Sequence, residues 1–177
     1  TMHGKGYAHR DLHNANILLS CSKSGKVSAV LIDFGRTLHM FAKSKKLPQG
    51  AASRNPPEIL FLSPDKVNKK ASDVYALGCF LFSLFFEREY EGSFVFNARD
   101  MQGKSEQDKA QMYIRVKEKY ALEYERFQEL MRLQNTQDDE FKTCIFQMIH
   151  PDPKKRISLK EVFFLLEKAM RKTNSSC

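Results

Sequence analysis

Short apolar runs at 16–20 and 27–33 flank the polar stretch CSKSGK, with Gly25 inside it, and predict a strand, a tight turn and a second strand. The next stretch, 35–55, is polar, rich in Lys and Ser and broken by Pro48 and Gly50. It reads as a long loop, closed by PPEIL, and long loops inside compact domains tend to be functional or mobile. Beyond Pro64 the pattern turns helical. Ser72 and Asp73 predict the N-cap of a helix running to about Phe86. Residues 74–86 are apolar on nearly every face but too few to span a bilayer, which predicts a buried helix. After the irregular stretch 87–105, Met112, Val116, Tyr120, Phe127 and Met131 fall largely at three- and four-residue steps, the stripe of an amphipathic helix with charged outer faces. Residues 141–149 predict another helix, stopped by HPDP. Ser158 and Glu161 form a capping-box pattern that opens the last helix, running to about Met170, with 174–177 as a frayed tail.

Composition narrows the class. The chain has 177 residues, long enough to bury a real core in one domain, and 42% hydrophobic against 28% charged content fits a soluble globular protein. A formal charge of +8 invites a nucleic-acid reading, but no basic–aromatic recognition motif accompanies it. The charge also suits a protein that handles nucleotide phosphates or acidic partners. Cys21, Cys79, Cys144 and Cys177 are scattered without metal-ligand spacing, the pattern of reduced thiols, so an intracellular, cytoplasmic location is expected. No signal-peptide pattern opens the chain, and the first residue is Thr1 rather than Met, which suggests a piece of a longer protein.

Candidate chemistry lies early. In YAHRDLHNANILLS, Asp11 and Asn16 stand five residues apart in a loop, and Asp33 ends the second strand. An acid and an amide oxygen at separate loop positions can share a hard cation such as Mg²⁺, which prefers few protein oxygens plus phosphate oxygens. A further carboxylate can orient a hydroxyl and accept its proton. These are the parts phosphoryl transfer needs, because its catalysis is mostly positioning and charge neutralisation.

HRDLHNAN followed by DFG resembles the catalytic loop and metal-binding motif of the eukaryotic-type protein kinases. Three more segments resemble that family in the same order: NPPEIL its Ala-Pro-Glu motif with Pro56 in place of Ala, SDVYALG the start of its buried helix, and HPDPKKRIS the segment bearing a structural arginine. The resemblance implies a mainly α fold with a small β hairpin, the family's large C-terminal lobe (an α+β fold), over residues 1–173. It implies Asp11 as the base, Asn16 and Asp33 as ligands of Mg²⁺ and thereby of ATP, and Arg10 as the arginine that reads activation-loop phosphorylation. His9 and Phe34 match members of an apolar stack, Gly35 completes the metal motif, and Leu18 matches the residue under the adenine ring, with Phe80 and Leu84 beneath it. Asp73 matches the residue that holds the loop backbone, and Arg156 with Glu58 a buried ion pair. The implied partner is a protein substrate; no nucleic acid and no membrane span are expected. The family's smaller first lobe, with its glycine-rich loop, strand lysine and helix glutamate, has no counterpart in these residues, so this chain by itself is expected to be inactive.

Besides Pro56, further positions depart from the pattern, among them Arg54, which stands where an aromatic is common. Ser/Thr members usually carry a lysine two residues after the base, reaching the γ-phosphate; here it is His13, and an imidazole is charged only fractionally near neutral pH. Ala51 stands where a Thr usually steadies the base. Histidine at the lysine position occurs in some tyrosine-kinase-like Ser/Thr relatives, and the tyrosine-kinase markers after the base are absent, which favours Ser/Thr specificity. The loop 35–55 carries Arg36, Lys43, Lys45, Lys46 and Arg54 and no acid. It is either a solvated basic face or a set of cations awaiting phosphate on Thr37, Ser44 or Ser53. Extra length around 106–134 is either a docking surface or a helix that packs on the lobe. A pseudokinase scaffold is the alternative function; a small-molecule kinase fits less well, since such enzymes lack the Phe-Gly after the metal aspartate and the Pro-Pro-Glu segment.

Overall fold

A computed structural model describes residues 1–43, 55–60, 62, 66–90, 103–134 and 139–174. Helix α1 (Lys69–Phe86) is its pillar. The N-cap is Asn68, whose side-chain oxygen accepts from Ala71 N at 3.1 Å, not the expected Ser72–Asp73 pair. Ser72 Oγ instead donates to Asn68 O at 3.0 Å, and the Asp73 carboxylate is engaged outside the helix. The capping preference was read correctly as a residue class but assigned to the wrong polar residue in a run that holds several.

Three further helices are present among the described residues. Helix α2 (Glu106–Gln134) opens with a reciprocal cap, Asp108 N donating to Ser105 Oγ at 3.1 Å and Ser105 N to Asp108 Oδ2 at 3.2 Å. Helix α3 spans Asp139–Met148. Helix α4 (Leu159–Asn174) has the predicted capping box, Ser158 N donating to Glu161 Oε2 at 2.9 Å, and continues past its expected end to Asn174.

The core lies where α1, α2 and α3 meet. Phe82 packs at ring-centroid distances of 4.4 Å on Phe86, 5.4 Å on Tyr90 and 5.8 Å on Phe146, and Phe127 stacks on Phe146 at 4.8 Å. The α1–α3 crossing is close because Gly78 has no side chain: a Cβ there would lie 2.7 Å from Met148 Cβ and 2.8 Å from Ile149 Cγ2. Val74, Cys144, Met148 and Val162 bury a second cluster that joins α1 and α3 to α4. The α2 stripe divides its work. Val116, with Met112 and Tyr113, packs on Ile59 in the short turn Pro57–Leu60, while Tyr120, Phe127 and Met131 face the aromatic core. Arg88 adds a bidentate pair to buried Glu123, at 2.8 and 2.5 Å, tying the end of α1 to the middle of α2. Against expectation α1 is not buried throughout: Leu84 is 58% and Phe85 40% exposed, so its last turn presents apolar surface.

Two small antiparallel sheets carry the rest. Strands β2 (Ile17–Cys21) and β3 (Val27–Leu31) pair from Ile17↔Leu31 to Cys21↔Val27, the predicted hairpin. Gly25 takes φ +77° in its turn, where a side chain would be strained. Strand β1 (Tyr7–Ala8) pairs with β4 (Leu38–His39), which lies inside the stretch 35–55 expected to be a loop. A 3-10 turn at His3–Lys5 ends at Gly6 in the left-handed region, which turns the chain into β1. The resulting clasp fixes the two ends of the candidate site.

Candidate active site

The loop after β1 is held by one carboxylate of α1. Asp73 Oδ2 accepts from His9 N at 2.7 Å and Oδ1 from Arg10 N at 2.7 Å, and His3 Nε2 lies 2.8 Å from Oδ2. Arg10 adopts φ 69°, a left-handed conformation that costs a non-glycine residue roughly 1–2 kcal/mol. The two backbone bonds to a buried carboxylate offset that cost and fix the direction in which the loop leaves β1. Burial holds the Arg10 guanidinium below the ordinary arginine value; the Asp73 charge opposes this and the Arg36 charge adds to it.

Asp11 follows, nearly buried. His13 Nε2 lies 3.7 Å from its Oδ1 and Arg36 Nε 3.4 Å from its Oδ2. A 3-10 turn at Asn14–Asn16 brings the chain back so that Asn16 Nδ2 donates to Asp11 O at 2.9 Å. That bond assigns the amide: its nitrogen is spent on the loop, and its oxygen remains as the acceptor.

The hairpin then carries Asn16 to its partner. Ile32 N donates to Asn16 O at 3.0 Å, one step beyond the Ile17↔Leu31 pair, so Asn16 and Asp33 lie at the same end of the ladder. Asp33 has φ 58°, and its Oδ1 accepts from Gly35 N at 3.1 Å, setting a tight turn over Phe34–Arg36. Asp33 is exposed. His9 Nε2 donates to Ile32 O at 3.1 Å, and its ring packs 5.3 Å from that of Phe34, linking the loop, the end of β3 and the turn. With Nε2 as the donor, the buried Nδ1 of His9 has no hydrogen-bond partner. Leu18 stands on β2 opposite Val30 and is 52% exposed, an apolar shelf beside Asn16 along the strand.

Across the molecule, Arg156 grips Glu58 bidentately in a buried pair. Arg156 also donates to His150 O at 2.8 Å and to Ala71 O at 3.1 Å, and lies over the Tyr75 ring at 4.8 Å. Burial pushes the Tyr75 hydroxyl well above its ordinary value, so it stays neutral, and its oxygen has no hydrogen-bond partner.

The structure thus brings Arg10, Asp11, His13, Asn16 and Asp33 together, with Phe34 and Gly35 in the adjoining turn. Of the modification candidates, the Thr37 hydroxyl oxygen is buried without a partner, so it would have to turn outward to be modified. Ser44 and Ser53 lie outside the described residues, as do Ala51, Lys45, Lys46 and Arg54. Sequence reasoning missed two contributors. Arg36 was placed among the basic residues of the loop, but it points back at Asp11. His3 was given no role and reaches Asp73; only its spacing before the loop could have pointed to it.

Comparison with known proteins agrees with this geometry. The family model described as "Protein kinase domain" matches residues 1–164. Over 88 residues the chain is 35% identical to Mitogen-activated protein kinase kinase kinase 20 of Arabidopsis thaliana, covering 48% of this chain and 24% of that protein. It is 36% identical over 87 residues to 3-phosphoinositide-dependent protein kinase 1 of Homo sapiens, covering 47% and 14%, and 53% identical over 38 residues to Nucleosomal histone kinase 1 of Drosophila melanogaster, covering 22% and 6%. The matches therefore span a quarter or less of each relative's length. With its helical lobe, loop and hairpin seen together, the chain belongs to the protein kinase domain family.

Proposed function

We propose that this chain is the catalytic-loop part of a Ser/Thr protein kinase, one that transfers the γ-phosphoryl group of ATP to a protein hydroxyl with Mg²⁺. The observation that carries this reading is the convergence of Asp11, Asn16 and Asp33, held by the Asn16 Nδ2 to Asp11 O bond and the Ile32 N to Asn16 O bond. Residues 1–173 form the partial kinase domain in this reading.

The residues fit the metal the family uses. Asn16 keeps its amide oxygen for a ligand, and Asp33 uses one carboxylate oxygen on Gly35 N, leaving the other. Two oxygen ligands from the chain suit Mg²⁺, which takes its remaining ligands from a nucleotide's own phosphates and water. When bound, the metal neutralises phosphate charge. This chain's residues do the rest. Asp11 orients the substrate hydroxyl and accepts its proton, and Asn16 keeps the Asp11 main chain in place. Asp73 fixes the left-handed turn at Arg10 that aims the loop. Leu18 offers an apolar surface to the nucleotide base.

The remaining nucleotide contacts belong, in this reading, to a first lobe elsewhere in the polypeptide, and the 177-residue chain alone does not turn over. The exposed Leu18 and Leu84 are surface such a lobe would cover. Cys21 and Cys144 as free thiols fit an intracellular, reducing setting, and no described helix is long and apolar enough to cross a membrane. The test is phosphoamino-acid analysis of a protein substrate incubated with the full-length protein, Mg²⁺ and labelled ATP. Phosphoserine or phosphothreonine supports the reading, phosphotyrosine overturns its specificity, and no metal-dependent incorporation overturns it altogether.

A further inference from the structure

Asp11 has a basic side chain at each carboxylate oxygen, and the guanidinium is the one with a fixed charge. His13 Nε2 stands 3.7 Å from Oδ1 and Arg36 Nε 3.4 Å from Oδ2. Arg36 closes the turn Phe34–Arg36 whose N-cap is Asp33, so one local structure sets both the carboxylate and the guanidinium. Among the described residues Asp11 is the one acid paired with Arg36, and the Arg36 side chain remains 43% exposed. Contact through Nε leaves the terminal nitrogens of the fork as donors for a second anion.

Resting on the phosphotransfer reading above, we propose that Arg36 is a catalytic residue supplying the fixed positive charge for the transferred phosphoryl group. It takes over the task that a lysine two positions after the base performs in most Ser/Thr members, a position held here by His13. In the step concerned, the substrate hydroxyl oxygen bonds to the γ-phosphorus while the bond to the β–γ bridging oxygen breaks. ADP leaves with the bonding pair, and the hydroxyl proton passes to Asp11. Charge on the equatorial oxygens must be met throughout, and a guanidinium stays protonated at every pH the enzyme meets. The Asp11 pair keeps Arg36 beside the reacting centre before substrate arrives, so little reorganisation is needed when charge develops.

The test uses the full-length protein with Mg-ATP and dephosphorylated casein. Arg36→Ala is expected to lower kcat about 100-fold, the usual loss for one preorganised transition-state donor, with the KM for ATP little changed. Arg36→Lys, which keeps the charge, is expected to retain more activity than Arg36→Ala. Placing a lysine by His13→Lys in the Arg36→Ala protein is expected to recover about tenfold or more of the lost rate. A merely structural role would show no such rescue. The proposal is overturned if Arg36→Ala matches the wild type, or exceeds it (which would make Arg36 a mask on the base), or if the loss is not recovered by His13→Lys in a protein of unchanged melting temperature. Wild-type transfer abolished by Asp11→Asn but unaffected by Arg36→Ala removes the Arg36 assignment alone. Absence of transfer by the wild type removes the phosphotransfer reading and this assignment with it.

Discussion

Arg156 Nη1 and Nη2 lie 2.7 and 2.5 Å from the two carboxylate oxygens of Glu58 across 98 positions of sequence. Both side chains are buried, so the pair ties the segment before α1 to the turn before α4 away from solvent. Arg156→Ala leaves the Glu58 charge buried and unpaired and is expected to destabilise the fold by about 3–5 kcal/mol. Replacing both residues with apolar ones of similar volume should cost less. Urea unfolding of the two variants checks both, and a smaller loss from Arg156→Ala than from the double replacement would contradict the burial argument.

Gly78→Ala sets two effects against each other. Alanine gains up to about 1 kcal/mol of helix propensity over glycine. Its methyl would sit 2.7 Å from Met148 Cβ and 2.8 Å from Ile149 Cγ2, neither at the far end of a flexible chain. Overpacking of that kind costs about 1–3 kcal/mol, so the net effect is a loss, read as a lower melting temperature.

The α4 cap predicts a pH response. Hydrogen bonds from the Ser158 side chain and backbone hold the Glu161 carboxyl below the ordinary glutamate value. A depressed folded-state value means that the cap's contribution is complete above the unfolded glutamate pKa and is lost as pH falls through the folded one. The first turn of α4 should therefore loosen only in acid. In Ser158→Ala, the Glu161 side-chain carbon resonance should titrate at higher pH than in the wild type.

Thiol reactivity should follow burial. Burial pushes the Cys144 thiol up to about 11, and Cys79 is also buried, whereas Cys21 is exposed at the end of β2. The thiolate is the nucleophile, so iodoacetamide at neutral pH should modify Cys21 and spare the other two until the protein unfolds. Equal labelling of Cys144 would contradict the packing of α3 on α1.

Much of this was legible in the sequence, and the failures share a cause. Short apolar runs on either side of Gly25 located the β2–β3 hairpin, and apolar spacing with capping patterns located the four helices, because those signals are local in the chain. The α1 cap was missed because Asp73 is a good capping residue whose carboxylate is spent on the His9 and Arg10 amides, a contact across 64 positions that no local pattern encodes. Arg36 resembled its basic neighbours for the same reason: its direction is set by the Asp33 turn and by Asp11, not by the loop's composition. The β1–β4 clasp has two residues per strand, too short for a period-two signal. Thr37 was a candidate by residue type alone, and type says nothing about a hydroxyl turned inward.

The most direct test of the central claim is phosphate transfer by the full-length protein compared with its Asp11→Asn variant, at equal folding and equal Mg-ATP binding. Asp11 Oδ1 and Oδ2 face His13 and Arg36, and the carboxylate lies outside the apolar core clusters, so the variant should fold. Loss of general-base positioning should cut the rate by about 10²–10⁴-fold while nucleotide binding persists. A variant that transfers phosphate at the wild-type rate, or a wild type that transfers none, would contradict the account.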